Sequence, residues 1–195
     1  MTPPAGKSSF QLILDTAEAL IQQKGCRQTT LQDIIRESGL SKGAIYHYVS
    51  SKDELLGLVM KSRIEQVHRR FTEAVSSPQT QGIRNPLQMI AEGMMKNTSH
   101  EDVTNQIFLY LLTQMDNPTV AATMREVYDY MVQTSVKWIE VGQHHGVIPA
   151  DLDKHRVADM LVTFMYGIRV KNTVRQDSSG MKLEEIIGFM AKALQ

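Results

Sequence analysis

The residues best suited to chemistry lie between Thr29 and Leu56, in the stretch TTLQDIIRESGLSKGAIYHYVSSKDELL. Lys42 and Lys52 carry cations that can neutralise phosphates. Tyr46 and His47 carry groups that can reach phosphate oxygens or base edges. Between them Gly43 and Ala44 are small enough to let a backbone approach closely. Ile45 and Val49, four residues apart, face the other way. This is the chemistry of recognition, with one wet and one dry side, and no bond-making set accompanies it. Cys26 has no positioned base and reads as packing. His144 and His145 are adjacent, so on a helix they point about 100° apart, and no carboxylate–histidine spacing surrounds them. No acid, base and nucleophile converge anywhere in the chain, so no catalytic residue, cofactor or metal is expected.

Local signals say how this stretch is held. Thr30 precedes Leu31, Ile34 and Ile35 with Asp33 three residues on, a capping-box pattern that starts a helix. Gly39 can adopt the left-handed conformation that ends it. Ser41 caps a second short helix, expected over Lys42 to Tyr48, and Ser51 with Glu54 supplies a further box opening a long helix. Two short helices joined by a glycine turn make a helix-turn-helix, whose second helix enters the major groove by its N-terminal end.

Elsewhere the apolar spacing is helical. Stripes run through Phe10, Ile13, Leu14, Ala17 and Ile21, closed by Gly25, and through Leu56, Met60, Ile64, Val67 and Phe71. Others run through Met124, Val127, Met131, Ser135 and Trp138, through Val157, Met160, Leu161, Phe164 and Ile168, and through Leu183, Ile186, Ile187, Met190 and Leu194. No period-two alternation or hairpin dipeptide appears, so the fold is expected to be all-α. Ser76 to Pro86 and Asp177 to Gly180 are rich in turn formers and read as connections, as does Gly146 to Ala150. Asn117-Pro118 marks a helix start. Asp151 to Asp153 reads as a capping turn, and Glu184-Glu185 as acids placed for a helix dipole.

Composition narrows the class. The 195 residues include 42% hydrophobic and 22% charged, with 21 Lys+Arg against 21 Asp+Glu. A molecule of zero formal charge is no polycation that binds nucleic acid by bulk attraction. One cysteine excludes an internal disulfide framework and suits a reducing cytoplasm. Met1 to Lys7 lacks the apolar core of a secretory signal, and no apolar run approaches the ~20 residues of a membrane span.

ILDTAEALIQQKG, TTLQDIIRESGLSKGAIYHYV and SSKDELL, in that order and spacing, make Ile13 to Met60 resemble the DNA-binding domain of the tetracycline-repressor (TetR) family of bacterial transcriptional regulators. Cys26 stands where the family usually has an aromatic residue, Val49 where it often has phenylalanine, and few basic residues precede the first helix. The resemblance implies a helix-turn-helix DNA-binding domain over 1–52 and a larger helical ligand-binding and dimerisation domain over 53–195, joined by a helix at about 52–75. By the same resemblance the DNA-facing residues are Thr30, Gln32, Ser41, Lys42, Gly43, Ala44, Tyr46, His47 and Lys52. Thr30, Tyr46 and Lys52 are expected on phosphates, and Gln32, Lys42, Ala44 and His47 on base edges. A homodimer through the last two helices, about Lys154–Val174 and Met181–Leu194, would match a near-palindromic operator in double-stranded DNA.

Eleven methionines follow residue 59, and with the aromatic residues of that region they make a soft interior that can repack around a ligand. A small apolar or amphipathic inducer is expected near Phe108, Met115, Met124, Tyr128, Met131, Trp138, Phe164 and Arg169. The same side chains can serve as ordinary core, and Arg169 can meet either an anionic ligand group or an acidic neighbour. The expected role is that of a cytoplasmic repressor that a ligand releases. The rival classes are an all-α enzyme and a protein-interaction module.

Overall fold

The computed structural model describes residues 8–75, 84–97, 99, 101–175 and 181–195. The connections expected at Ser76 to Pro86 and Asp177 to Gly180 fall largely or wholly outside them, as does the segment Met1 to Lys7. Among the described residues there are nine helices and no strand. They are α1 (Ser9–Gln28), α2 (Leu31–Ser38), α3 (Lys42–Tyr46), α4 (Lys52–Val75), α5 (Arg84–Asn97), α6 (Val103–Leu112), α7 (Pro118–His144), α8 (Lys154–Arg175) and α9 (Leu183–Ala193).

The described residues form two compact units, one drawn from 1–62 and 101–127, the other from 63–100 and 128–195. Helices α4 and α7 therefore each contribute residues to both. In the first unit α1 packs on α2 and α6. Ile13, Leu14, Ala17 and Ile21 of the first expected stripe are all buried, joined by Leu55, Leu56, Val59 and Met60 of α4 and by Ile107, Phe108 and Leu111 of α6. The approach of α4 to α7 is close at Gly57, where a Cβ would stand 2.5 Å from Thr123 Cγ2.

The second unit has its own core. Phe71, Leu87, Ile90, Val136, Ile139, Leu161, Ile168, Ile186, Ile187 and Met190 cluster there, and α5 packs on α9. Burying a branched or aromatic side chain of this kind is worth about 1.5–3 kcal/mol. Helices α5 and α6 were not among the stripes singled out in the sequence. Helix α5 carries a helical stripe all the same, with Leu87, Ile90, Ala91 and Met94 buried, whereas the dense apolar run of α6 blurs a helical period.

Helix boundaries follow their signals. Asn117 accepts from Thr119 N at 3.0 Å before Pro118, and Asp153 Oδ1 accepts from the amides of His155 and Arg156, both at 3.1 Å, to open α8. At the start of α9, Glu185 Oε2 accepts from Lys182 N at 2.7 Å. Gly25 takes φ +76° and breaks the helical path inside α1, so the expected stop is present although a further short turn reaches Gln28.

One stripe divides in an unexpected way. Leu161 and Ile168 of α8 are buried, but Met160 is 51% exposed. Met160, Thr163, Gly167, Val170 and Val174 recur at offsets of three and four along α8, and every one is exposed. Val174 reaches 75%. Gly188 and Phe189 of α9 are exposed as well, and Phe189 stacks on Phe164 at 3.9 Å between centroids. No helix among the described residues is long and apolar enough to cross a membrane.

Candidate nucleic-acid interface

The helix-turn-helix is built from short-range bonds. Thr30 Oγ1 accepts from Asp33 N at 3.1 Å, and Asp33 Oδ2 accepts from Thr30 N at 3.0 Å. The box is reciprocal, and the Thr30 hydroxyl also donates to Asp33 at 2.7 Å. The same carboxylate receives Lys24 at 2.8 Å and Arg36 at 2.9 Å. Lys24, Thr30 and Arg36 together hold the Asp33 carboxyl far below the usual carboxylate range. At the other end of α2, Gly39 sits at φ +67°, ψ +7°, a conformation that costs an L residue about 1–2 kcal/mol.

Ser41 then caps α3, its hydroxyl oxygen accepting from Ala44 N at 3.1 Å. That leaves the Ser41 proton free to donate outward. The helix runs from Lys42 to Tyr46, two residues shorter than expected. It gives way to a turn at His47 and Tyr48, where Ile45 O accepts from both Tyr48 N at 3.0 Å and Val49 N at 3.1 Å. The next box also differs in one bond. Ser51 Oγ accepts from Glu54 N at 3.1 Å as expected, but the Glu54 carboxylate reaches back past Ser51 to the amide and hydroxyl of Ser50, each at 2.7 Å. These bonds lower the Glu54 carboxyl below its ordinary value.

Burial separates the two sides of the motif. Ile34, Ile45 and Val49 are 2% exposed or less, and Ile35 is half-buried. Truncating Ile45 would cost about 2–5 kcal/mol. On the opposite side Thr30, Gln32, Ser41, Lys42, Gly43, Tyr46 and His47 are exposed, with Ala44 half-buried among them. Tyr46 is 46% exposed, and Lys42 Nζ lies 5.6 Å from its ring centroid. Eight of the nine expected residues are therefore exposed or half-buried around α2 and α3, and several carry polar groups of the kind that can pair with phosphate oxygens and base edges.

Lys52 is placed differently. It is half-buried, and its ammonium donates to the Cys26 carbonyl at 3.1 Å and lies 4.7 Å from the centroid of Tyr110. Cys26 itself is buried, and burial pushes its thiol up to about 11. Tyr48 was not singled out as a site residue. It is exposed, 5.2 Å from the His47 ring and 5.3 Å from Phe10 of α1. Its place beside His47 was a signal, masked by the expectation that α3 would continue through it.

The residues expected to line a ligand site fall in both units. Phe108, Met115 and Met124 belong to the first, where Phe108 and Met124 are buried and Met115 is exposed. Tyr128, Met131, Trp138, Phe164 and Arg169 belong to the second. There the Tyr128 hydroxyl donates to Asp159 at 2.5 Å, and its ring meets Tyr166 edge-on at 5.7 Å. Burial raises the Tyr166 hydroxyl to about 12. Trp138 packs on Phe71 at 5.7 Å. Its Nε1 and the Nδ1 of His68 are buried without a hydrogen-bond partner among the described residues. Sequence reasoning missed His68, which sits in an apolar stripe as a single polar residue.

Comparisons with known proteins point the same way. Residues 13–59 match the family model of bacterial regulatory proteins of the tetR family. The chain is 25% identical over 139 residues to the uncharacterized HTH-type transcriptional regulator YfiR of Bacillus subtilis, covering 69% of this chain and 65% of that protein. It is 26% identical over 164 residues to the HTH-type transcriptional repressor KstR2 of Rhodococcus jostii, covering 78% of this chain and 77% of that one. A candidate transcriptional regulator of Saccharomonospora viridis, solved in complex with choline, shares the fold with a TM-score of 0.59 and 21% identity, over 94% of both chains.

Proposed function

Because this chain belongs to the bacterial TetR family of regulatory proteins, we propose that it binds a near-palindromic double-stranded operator as a homodimer and represses transcription until a small molecule releases it. The observation that carries the reading is the two-sided helix-turn-helix. Ile34, Ile45 and Val49 are clamped inside while Gln32, Lys42, Tyr46 and His47 stand in water. Thr30 and Tyr46 serve phosphates, while Gln32, Lys42, Ala44 and His47 serve base edges. Ser41 and the Gly43 backbone let the tip of α3 enter the groove.

The partner for the second half-site is a second copy, docked through α8 and α9. Support comes from the exposed seam of Met160, Thr163, Gly167, Val170 and Val174, continued by Gly188 and Phe189. Nothing within 4 Å would meet a Cβ at Gly167 or Gly188, so two backbones can come close there. An apolar seam of this spacing favours helix-to-helix packing over exposure to water. Two heads would then sit about 34–36 Å apart or a multiple of it.

The effector belongs in the second unit, against Tyr128, Met131, Trp138, Phe164 and Arg169. The buried ring nitrogens of Trp138 and His68 offer polar anchors inside an apolar surround, which suits an amphipathic molecule. Ligand binding would act on the reading head through α4 and α7, the helices common to both units. It can do so only as far as the ligand prefers one state over the other. A regulator of this kind works in the cytoplasm, where its DNA is. Functionally, residues 1–52 read DNA and 53–195 sense and dimerise, although α6 and the start of α7 pack with the reading head.

Selection of bound fragments from a random DNA pool tests the reading. A palindromic consensus whose affinity falls steeply with salt is expected. Equal, weak retention of every fragment would leave the interaction-module reading in its place. Turnover of any candidate ligand would favour the enzyme.

A further inference from the structure

Lys52 and Cys26 flank the whole helix-turn-helix. Cys26 stands just before Thr29 and α2, and Lys52 just after the turn that follows α3. The bond from Lys52 Nζ to Cys26 O, 3.1 Å long and spanning 26 positions, closes that segment at its base. Its energy is not local to one helix, because the ammonium also lies 4.7 Å from the Tyr110 ring centroid on α6. That distance is within reach of a cation–π attraction. Tyr110 is half-buried, and its carbonyl accepts from Thr113 Oγ1 at 2.8 Å and Gln114 Nε2 at 3.4 Å, which secures the end of α6. Among the described residues no carboxylate pairs with Lys52 within 4 Å. The cation is instead held by a carbonyl and a ring face, both neutral.

We propose that Tyr110 is a positioning residue for DNA binding. With the Cys26 carbonyl it holds the Lys52 ammonium at the junction of α1, α4 and α6, so that this charge sets the pose of the reading helix and does not neutralise a phosphate. The proposal rests on the DNA-binding reading for its consequence, and on geometry alone for the clamp. Closing a loop of this length at its base restricts how α2 and α3 tilt together on the core beneath them. Loosening it would cost affinity for every sequence, since no base contact is touched.

The experiment measures binding of the selected palindrome against salt for the full-length wild type and for Lys52→Gln, Lys52→Arg, Tyr110→Leu and Tyr110→Phe. Lys52→Gln and Tyr110→Leu should each weaken binding about threefold to tenfold, with an unchanged slope of log affinity on log salt. Their combination should be no worse than either alone, because the pair acts as a unit. Lys52→Arg and Tyr110→Phe keep a cation and a ring, and should bind as the wild type does. A slope shallower by about 0.9 for Lys52→Gln would mean a phosphate contact was lost, and would overturn the clamp. Full affinity in Tyr110→Leu, or equal loss in Tyr110→Phe, would overturn it too.

Hydrogen exchange of the free proteins provides a readout that needs no DNA. Faster exchange at residues 26–30 and 52–55 in Lys52→Gln and Tyr110→Leu is expected, and unchanged exchange removes the clamp. If the wild type selects no DNA at all, the regulator reading fails, and exchange alone then decides whether the clamp exists.

Discussion

The two exposed faces of this protein are made of opposite materials. Around α2 and α3 the outer side is polar, with Gln32, Lys42, Tyr46 and His47 in water over a dry Ile34–Ile45 underside. Along α8 the outer side is apolar, with Met160, Val170 and Val174 exposed over a core that buries Leu161 and Ile168. A polar face loses nothing by standing free and gains from a polyanion. An apolar face of helical length stands free only at a cost. The first is suited to a partner that comes and goes with salt, the second to one that stays.

The sharpest way to break that contrast is to put charge into the apolar face. Val170→Glu should raise the dimer dissociation constant by about a hundredfold or more, since an unpaired carboxylate would be buried between copies. Sedimentation should show monomer, and operator binding should fall with it. An unchanged dimer would place the interface elsewhere. Next in size, Tyr46→Ala should weaken binding of all sequences by roughly tenfold, while Gln32→Ala should alter preference at one or two positions and cost a similar amount on the original site. Neither should change sedimentation. If Tyr46→Ala dissociated the dimer, the two faces would not be independent.

Smaller effects sharpen the comparison through stability. Thr30→Ala removes one half of a capping box and should destabilise the first unit by about 1 kcal/mol, read by thermal unfolding. The acid limb follows from Asp33. Its folded value lies below the unfolded one, near 3.9, so its contribution is complete above that value and is lost as pH falls through the lower folded value. In Asp33→Asn this acid-induced loss should disappear. If it persists undiminished, the ion pairs with Lys24 and Arg36 are not what hold the cap.

His68 should give the smallest effect, and from the second unit. Desolvation holds its folded value below the ordinary one of about 6.5. The unfolded chain therefore binds a proton first, and stability should begin to fall as pH drops below about 6.5. Replacing His68 with Gln should flatten that decline without touching the low-pH loss traced to Asp33. A decline that stays the same would assign it to another group.

Much of the reading head was legible because its determinants act over three or four residues. The Thr30–Asp33 box, the Gly39 turn and the Ser41 cap are each complete within a short window, and all appear as the spacing implied. The errors were also local in scale. Helix α3 stops at Tyr46 and Glu54 bonds to Ser50, because a tight turn and one extra residue of reach compete closely with the expected pattern. Lys52 was less legible. Its partners Cys26 and Tyr110 lie 26 and 58 positions away, and no spacing rule joins those three residues.

The order of residues alone determined the helical class, the caps and turns of the motif, and the separation of wet from dry on its short helices, because hydrogen bonds along a helix and side-chain periodicity are properties of neighbours. Only the folded chain decided that Met160 turns out while Leu161 turns in, that a lysine beside the reading helix is tied to α6, and that Trp138, against Phe71, and His68 each bury a ring nitrogen. Those outcomes depend on which distant surfaces meet. A helix with apolar residues on several sides offers more than one way to be packed, and its neighbours choose among them.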